Sequence, residues 1–432
     1  MRQASDPRDN EELSSVPGRA GSTEHRANGA LGVVGVVGTG TMGAGIAQVA
    51  LEAGHEVVLH DVDEAALDGG RARIREGLQR RAARRDHDGQ TADRWIRDRY
   101  SRLRVAVTLD ALAAEAELVI EAALEDLELK RTIFRALDAV APPDTILATN
   151  TSAIPVGAIA QATSTSGRVV GLHFFNPAPL MGLVEVVVAA TTEPAVGDRV
   201  EALMRAWGKT PVRGTDTPGF IVNRVNRPFT LEALAILADG LATVGAIDGA
   251  MREAGFPMGP FELMDFNGIE VTLAATRAIF EARTASGDPL ADRFRPSAIQ
   301  EQLVESGRLG RKTASGFYAY GKDGRPAGPS PDIGGIVPAA TDAAAAGTSA
   351  GEIVERIWGA IVNEAHRALD EGVARPADID AALRLGAAHP TGPFERMTAA
   401  GGAARLVDVL RRHLDAGRGP RFEPADSLRA TV

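Results

Sequence analysis

A run of valines that ends in the glycine turn Gly38-Thr39-Gly40-Thr41-Met42-Gly43 constrains this chain more than any other feature. The segment from Leu31 to Val37 is apolar without polar alternation, which fits a central parallel strand covered on both faces. Ala44 to Ala53 then read as a small-residue helix, Gly54 stops it, and Val57 to His60 form a second strand closed by Asp61. Strand, turn, helix and strand follow one another as a complete unit.

Each glycine at this spacing has its own task. Gly38 permits the tight turn, Gly40 lets the backbone approach a pyrophosphate, and Gly43 lets the helix pack on the strand. The helix N-terminus, with Thr41 and Met42 in the turn before it, offers free amides and a positive dipole to phosphates. Asp61, eighteen residues past Gly43 in the numbering, is placed to accept hydrogen bonds from an adenine ribose. A carboxylate there repels a 2′-phosphate, which favours NAD over NADP.

Further along, Glu64–Arg85 have the polarity of a long helix, broken by turn signals at Asp86–Gly89. Apolar runs at Val105–Val107, Leu118–Ile120 and Ile146–Ala148 follow, with a helix from Asp126 to Val140. Val169–Leu172 and Leu183–Val188 read as further strands, and Glu193–Trp207 as a helix. Strands alternating with helices imply a Rossmann-type, doubly wound parallel α/β domain over 30–216. After Pro218 the strand pattern vanishes and all-α domains are expected. One order of residues recurs there. Leu231-Glu232-Ala233, Asp239-Gly240, Ile247-Asp248 and Pro257–Glu262 return as Asn363-Glu364-Ala365, Glu371-Gly372, Ile379-Asp380 and Pro390–Glu395. The offset is about 132 residues, which indicates a duplicated helical module. The expected copies span 217–321 and 351–432, joined by a Gly/Pro/Ala-rich linker at 322–350.

Composition limits the remaining choices. A chain of 432 residues exceeds one ordinary core, and no apolar stretch is long enough for a membrane helix. Residues 1–29 are polar and read as a disordered tail. With no cysteine, disulfides, thiolate metal sites and a cysteine nucleophile are excluded, and a cytoplasmic protein is expected. A net charge of −10 argues against nucleic-acid binding. Seven arginines between Arg71 and Arg85 crowd one segment, either as a solvated helix face or as a contact for an anionic ligand.

Two residues suggest acid–base chemistry. His173 ends a strand in Gly171-Leu172-His173-Phe174-Phe175-Asn176-Pro177, at the carboxyl edge where open α/β sheets bind ligands. Glu185 is the single carboxylate in Leu183–Val188, and a lone buried Glu needs a partner. An imidazole–carboxylate pair fixes the tautomer and leaves the other ring nitrogen free. The plainer reading is a satisfied core histidine and an edge-strand glutamate. Asn150-Thr151-Ser152 also ends a strand, where it either orients a substrate oxygen or caps the turn before Ile154-Pro155. Asn223 either reaches the same cleft or sits on a solvated face.

The glycine turn, Ile120–Glu125, Asn150-Thr151-Ser152, His173–Pro177 and Pro218–Arg224 together resemble the 3-hydroxyacyl-CoA dehydrogenase family over roughly residues 31–400. The duplicated module looks like the branch that includes 3-hydroxybutyryl-CoA and 3-hydroxyadipyl-CoA dehydrogenases. The resemblance implies NAD-dependent oxidation of (3S)-3-hydroxyacyl-CoA. It makes His173 the base, Glu185 its orienting carboxylate, and Ser152 and Asn223 the groups that hold the C3 oxygen. It places Glu125, Lys130 and Asn150 near the nicotinamide, and Asn176 and Arg84 on the substrate side. The sequence departs from the family at Thr149 and at Gly77, both serine in the family. A dehydrogenase of another hydroxy acid, a non-catalytic relative and a regulatory NAD-binding module remain as alternatives. For assembly, either the first helical copy forms a homodimer, as its family counterpart does, or the second copy satisfies that face internally.

Overall fold

Valine and isoleucine runs form the centre of the sheet because both faces of each strand are covered. In the computed structural model, which describes residues 32–84, 89–330 and 348–430, β1 (Val33–Val37) is buried along nearly its whole length. It is followed by α1 (Thr41–Ala53), β2 (Glu56–His60), α2 (Glu64–Ala83), α3 (Gly89–Tyr100), β3 (Leu103–Val105) and α4 (Leu109–Glu115). Next come β4 (Leu118–Glu121), α5 (Leu127–Val140), β5 (Ile146–Thr149), α6 (Val156–Ala160), β6 (Val169–Phe174), β7 (Leu183–Val188), α7 (Pro194–Ala206) and β8 (Thr210–Thr215). The expected tail at 1–29, Leu31, Arg85 and much of the expected linker lie outside the described residues.

The eight strands run in the order β3-β2-β1-β4-β5-β6-β7-β8. All neighbours are parallel except β6 and β7, which are antiparallel. The doubly wound parallel sheet expected from the sequence is present with this one antiparallel pair, and the reason is local. Only residues 175–182 join the two strands, too few for the crossover a parallel pair needs. β8 is a strand that the sequence reading does not contain.

The helical region comprises α8 (Val222–Val225), α9 (Arg227–Ala238), α10 (Val244–Glu253), α11 (Pro260–Asn267), α12 (Ile269–Ala285), α13 (Ala298–Glu305), α14 (Ala350–Asp370), α15 (Pro376–Gly386), α16 (Pro393–Ala399), α17 (Gly402–Asp415) and α18 (Asp426–Arg429). A hairpin, β9 (Tyr318–Tyr320) with β10 (Pro326–Pro329), interrupts it, so the start of the expected linker is ordered structure. α9 packs on α14, and one apolar core runs through both copies from Phe229 and Leu234 to Ile357 and Ile361.

Charges at this contact are mirrored. Arg224 Nε donates to Glu364 Oε1 at 2.7 Å, and Arg356 Nε donates to Glu232 Oε1. Arg224 also binds Glu371, as Arg356 binds Asp239. Every one of these residues has its counterpart 132 positions away. An exchange in which i meets j and j meets i is the mark of an isologous two-fold interface. Here it lies within one chain. Among the described residues no helix is long and apolar enough to cross a membrane, and no group of three His, Asp or Glu side chains could hold a metal ion.

Candidate active site

Backbone geometry builds the nucleotide crevice. Gly38 has φ of +90°, and a Cβ there would lie 2.7 Å from the carbonyl of Ala122. A Cβ at Gly43 would lie 1.8 Å from the carbonyl of Gly38, so helix and turn close only on glycine. Gly40 faces open space and caps α1 without a side-chain bond, which leaves the first amides of the helix, at Thr41 and Met42, turned outward. These residues line a crevice of ≈590 Å³ with Asp61, Leu109 and Leu124. Asp61 Oδ2 accepts the amide of Thr39 at 2.6 Å, and Oδ1 accepts that of Val62 at 2.8 Å. Partial burial opposes its ionisation, but these bonds and the Thr39 hydroxyl outweigh it and hold the carboxyl below its usual range.

The antiparallel turn of β7 creates the second half of the site. Its register sets Glu185 directly opposite His173, where side chains on one face meet. His173 Nδ1 lies 2.6 Å from Glu185 Oε2. An ionised carboxylate only accepts, so Nδ1 carries the proton and Nε2 keeps its lone pair. The other oxygen, Oε1, accepts the amides of Ile221 at 3.0 Å and Val222 at 2.8 Å. Those amides turn inward because Gly219 and Phe220 both have positive φ, 81° and 48°. For Phe220 that conformation costs about 1–2 kcal/mol. Burial of its ring, 5.8 Å from that of His173, offsets this strain.

Around this pair the other candidates converge. Asn150 Oδ1 accepts the amide of Phe174, next to His173, at 2.9 Å. Asn223 Nδ2 donates to the carbonyl of Ser152 at 3.3 Å. Ser152 does not cap the following turn. Thr151 does, its hydroxyl accepting the amide of Ile154 at 2.9 Å. The Ser152 amide instead donates to Glu125 Oε1 at 2.8 Å. Burial opposes the ionisation of Glu125, yet the Thr151 hydroxyl, Lys130 and the amides of Ser152 and Ala153 hold it low.

Lys130 lies beneath this loop rather than in the open crevice. It is 1% exposed, with Nζ 2.7 Å from Glu121 and 3.3 Å from Glu125. Glu121 is a site residue that the sequence reading leaves without a role. It also accepts the Thr149 hydroxyl at 2.7 Å, so a threonine keeps the bond that a serine would make there. The available signal was the one used for Glu185, a single carboxylate in an otherwise apolar strand, Leu118-Val119-Ile120-Glu121.

A second cleft, of ≈230 Å³, opens between α1, α2 and the loop after β6. Arg73, Arg80, Arg81 and Arg84 line one side, and Asn176 to Leu180 the other. Four of the seven crowded arginines therefore face a cavity and not only solvent. Gly77 sits in its floor, where a Cβ would lie 2.0 Å from Gln48 Oε1, so a serine there would have to move the Gln48 side chain aside.

Comparison with known proteins gives a consistent result. The family described as 3-hydroxyacyl-CoA dehydrogenase, NAD binding domain, matches residues 33–217. The 3-hydroxyacyl-CoA dehydrogenase C-terminal domain matches 219–320 and again 351–432. The chain is 37% identical to 3-hydroxyadipyl-CoA dehydrogenase of Escherichia coli K12, over 92% of this chain and 96% of that one. It is 41% identical to 3-hydroxybutyryl-CoA dehydrogenase of Bradyrhizobium diazoefficiens, over 66% of this chain and 94% of that one. The crystal structure of 3-hydroxybutyryl-CoA dehydrogenase from Escherichia coli K12 superposes with a TM-score of 0.80 at 34% identity, covering 93% and 98% of the two chains.

Proposed function

The chain belongs to the 3-hydroxyacyl-CoA dehydrogenase family, and from that premise we propose that His173 is the base of an NAD-dependent oxidation of (3S)-3-hydroxyacyl-CoA to 3-oxoacyl-CoA. The observation that carries this reading is the buried 2.6 Å contact of His173 with Glu185. NAD, when bound, supplies the acceptor for the C3 hydride. The glycine turn and the α1 amides suit its pyrophosphate, and Asp61 suits its adenine ribose.

His173 Nε2 takes the proton of the 3-hydroxyl. Glu185, fixed on Nδ1, stabilises the imidazolium that results. Ser152 and Asn223 hold the C3 oxygen, and Asn150 orients the strand end that carries His173. Glu125, braced by Lys130 and Glu121, positions the Ser152 loop and reaches the nicotinamide side of the crevice. Arg84 with Arg73 and Arg80 supplies positive charge for the phosphates of CoA, across the cleft from Asn176. The proposal includes a cytoplasmic location, in keeping with a cysteine-free chain. It also includes a chain that closes its dimer-like helical face on its own second copy, which the mirrored Arg–Glu pairs support.

The test uses 3-hydroxyacyl-CoA thioesters and the corresponding free acids, with NADH formation followed by absorbance. The thioesters are oxidised and the free acids are not. His173→Gln lowers turnover by roughly 10²–10⁴-fold while NAD binding persists. An unchanged rate in that variant refutes the assignment of the base.

A further inference from the structure

The second helical copy reaches the active site. Its α15 ends at Gly386, where a Cβ would lie 2.6 Å from Leu183 Cδ2, 3.0 Å from Val222 Cγ2 and 3.4 Å from Phe175 Cε1. Those three side chains flank the candidate machinery. Phe175 is two residues past His173, and its ring lies 4.5 Å from the imidazole. Leu183 is two residues before Glu185. Val222 donates its amide to Glu185 and precedes Asn223. Two polar contacts hold this part of the second copy in place. The amide of Thr215 donates to the carbonyl of Val373 at 2.9 Å, and His389 Nε2 meets Asn226 Oδ1 at 2.7 Å.

A 3-hydroxyacyl thioester has two arms at C3. The thioester arm leads to CoA and the arginine cleft, so the carbon chain from C4 onward must leave along apolar walls. Two aromatic rings adjoin His173. Phe220 is backed by the core of the sheet, together with Val156 and Val187. Phe175 is backed by the second copy, where Gly386 packs without a side chain against Leu183, Val222 and Phe175. Leu385, beside that glycine, is a partly exposed apolar residue on the same turn.

We propose that the last turn of α15, centred on Gly386, limits the length of the acyl chain that the site accepts, by backing Phe175 and Val222. This rests on the reading of the site as a 3-hydroxyacyl-CoA dehydrogenase.

The experiment compares kcat/KM for 3-hydroxybutyryl-CoA and 3-hydroxyoctanoyl-CoA in the full-length wild type, Gly386→Ala and Phe175→Leu. One methyl group in an apolar pocket is worth about tenfold or more in discrimination. Gly386→Ala displaces Leu183 and presses on Val222 while filling the space against Phe175, which tightens this wall and lowers the long-to-short ratio by about that factor. Phe175→Leu opens the same wall and raises the ratio. NAD affinity stays unchanged in both. If each variant scales the two substrates equally, the role is structural only and the inference is overturned. If Gly386→Ala does not fold, Phe175→Leu decides alone, and an unmoved ratio overturns the inference. A wild type that oxidises neither thioester overturns the reading of the site as well, so the two failures are distinct.

Discussion

Replacing Glu185 with glutamine removes one charge and, because of its surroundings, reverses the polarity of the ring it holds. Its Oε1 accepts two backbone amides, of Ile221 and Val222, while its Oε2 accepts Nδ1–H of His173. A glutamine must give its oxygen to the two amides, since its NH2 group would set donor against donor in a fully buried site. The NH2 group then faces Nδ1 and donates to it. The ring proton moves to Nε2, and the nitrogen proposed to act as base no longer accepts a proton. A comparable carboxylate-to-amide change beside the histidine of a serine protease costs about 10⁴ in turnover, and a positioned base alone is worth roughly 10²–10⁴. Glu185→Gln should therefore lower kcat about 10³–10⁴-fold, or roughly 4–5.5 kcal/mol at about 1.36 kcal/mol per tenfold. Folding suffers less, by about 1.5–3 kcal/mol for one hydrogen bond to a charged group. NADH formation measures the first quantity, thermal melting the second, and tryptophan quenching confirms that NAD still binds. A variant within about tenfold of the parent rate, with NAD bound, would falsify the reasoning.

Three further outcomes are expected. The double variant Arg80→Ala/Arg84→Ala raises KM for the CoA thioester by about twofold to thirtyfold, since exposed charges contribute ~0.2–1 kcal/mol each. The effect shrinks in high salt, and a salt-independent KM would remove CoA phosphates from that cleft. Light scattering gives the mass of a single chain, and a two-chain mass would show that the mirrored Arg–Glu contact does not complete the helical face. Burial pushes His389 down to about 3 and His366 to about 4. Their folded values lie below the unfolded one, so the stability they supply is complete above about pH 6.5 and is lost as pH falls toward 4. His389→Gln keeps a donor for Asn226 and should flatten the melting-temperature curve in that window, whereas an unchanged slope would exclude His389 as its source.

Much of the site is legible in the sequence because its spacing is rigid. A glycine turn between an apolar strand and a helix leaves few ways to build the crevice, a polar residue near a strand end marks His173, and a lone carboxylate within an apolar strand marks Glu185. Strand direction is less legible, because an apolar run reads the same either way. The signal for β7 was the short connection at 175–182, not the strand itself. β8, with Thr210-Pro211-Val212-Arg213-Gly214-Thr215, is a partly exposed edge strand whose Pro, Arg and Gly hide its pairing. Glu121 escaped because its partners Lys130 and Thr149 lie on separate elements, and only folding brings them together. The repeat shows Glu232 and Glu364, but their arginines stand upstream of the aligned segment. The exchange between copies appears only in three dimensions.

That exchange explains how Asn223 is positioned although it makes only one long bond of its own, to Ser152. The four consecutive residues 221–224 are clamped from two sides. On the sheet side, Glu185 holds the amides of Ile221 and Val222. On the helical side, Glu364 and Glu371 hold the buried guanidinium of Arg224. Removing one partner from a buried pair costs about 3–5 kcal/mol, because the other charge is left uncompensated. The backbone between two such anchors has little freedom, and the amide of Asn223 projects from it toward the loop of Ser152. Each clamp joins this segment to a different part of the chain. The carboxylate that sets the tautomer of His173 thus also seats the helix bearing Asn223, and the second copy locks that helix from behind.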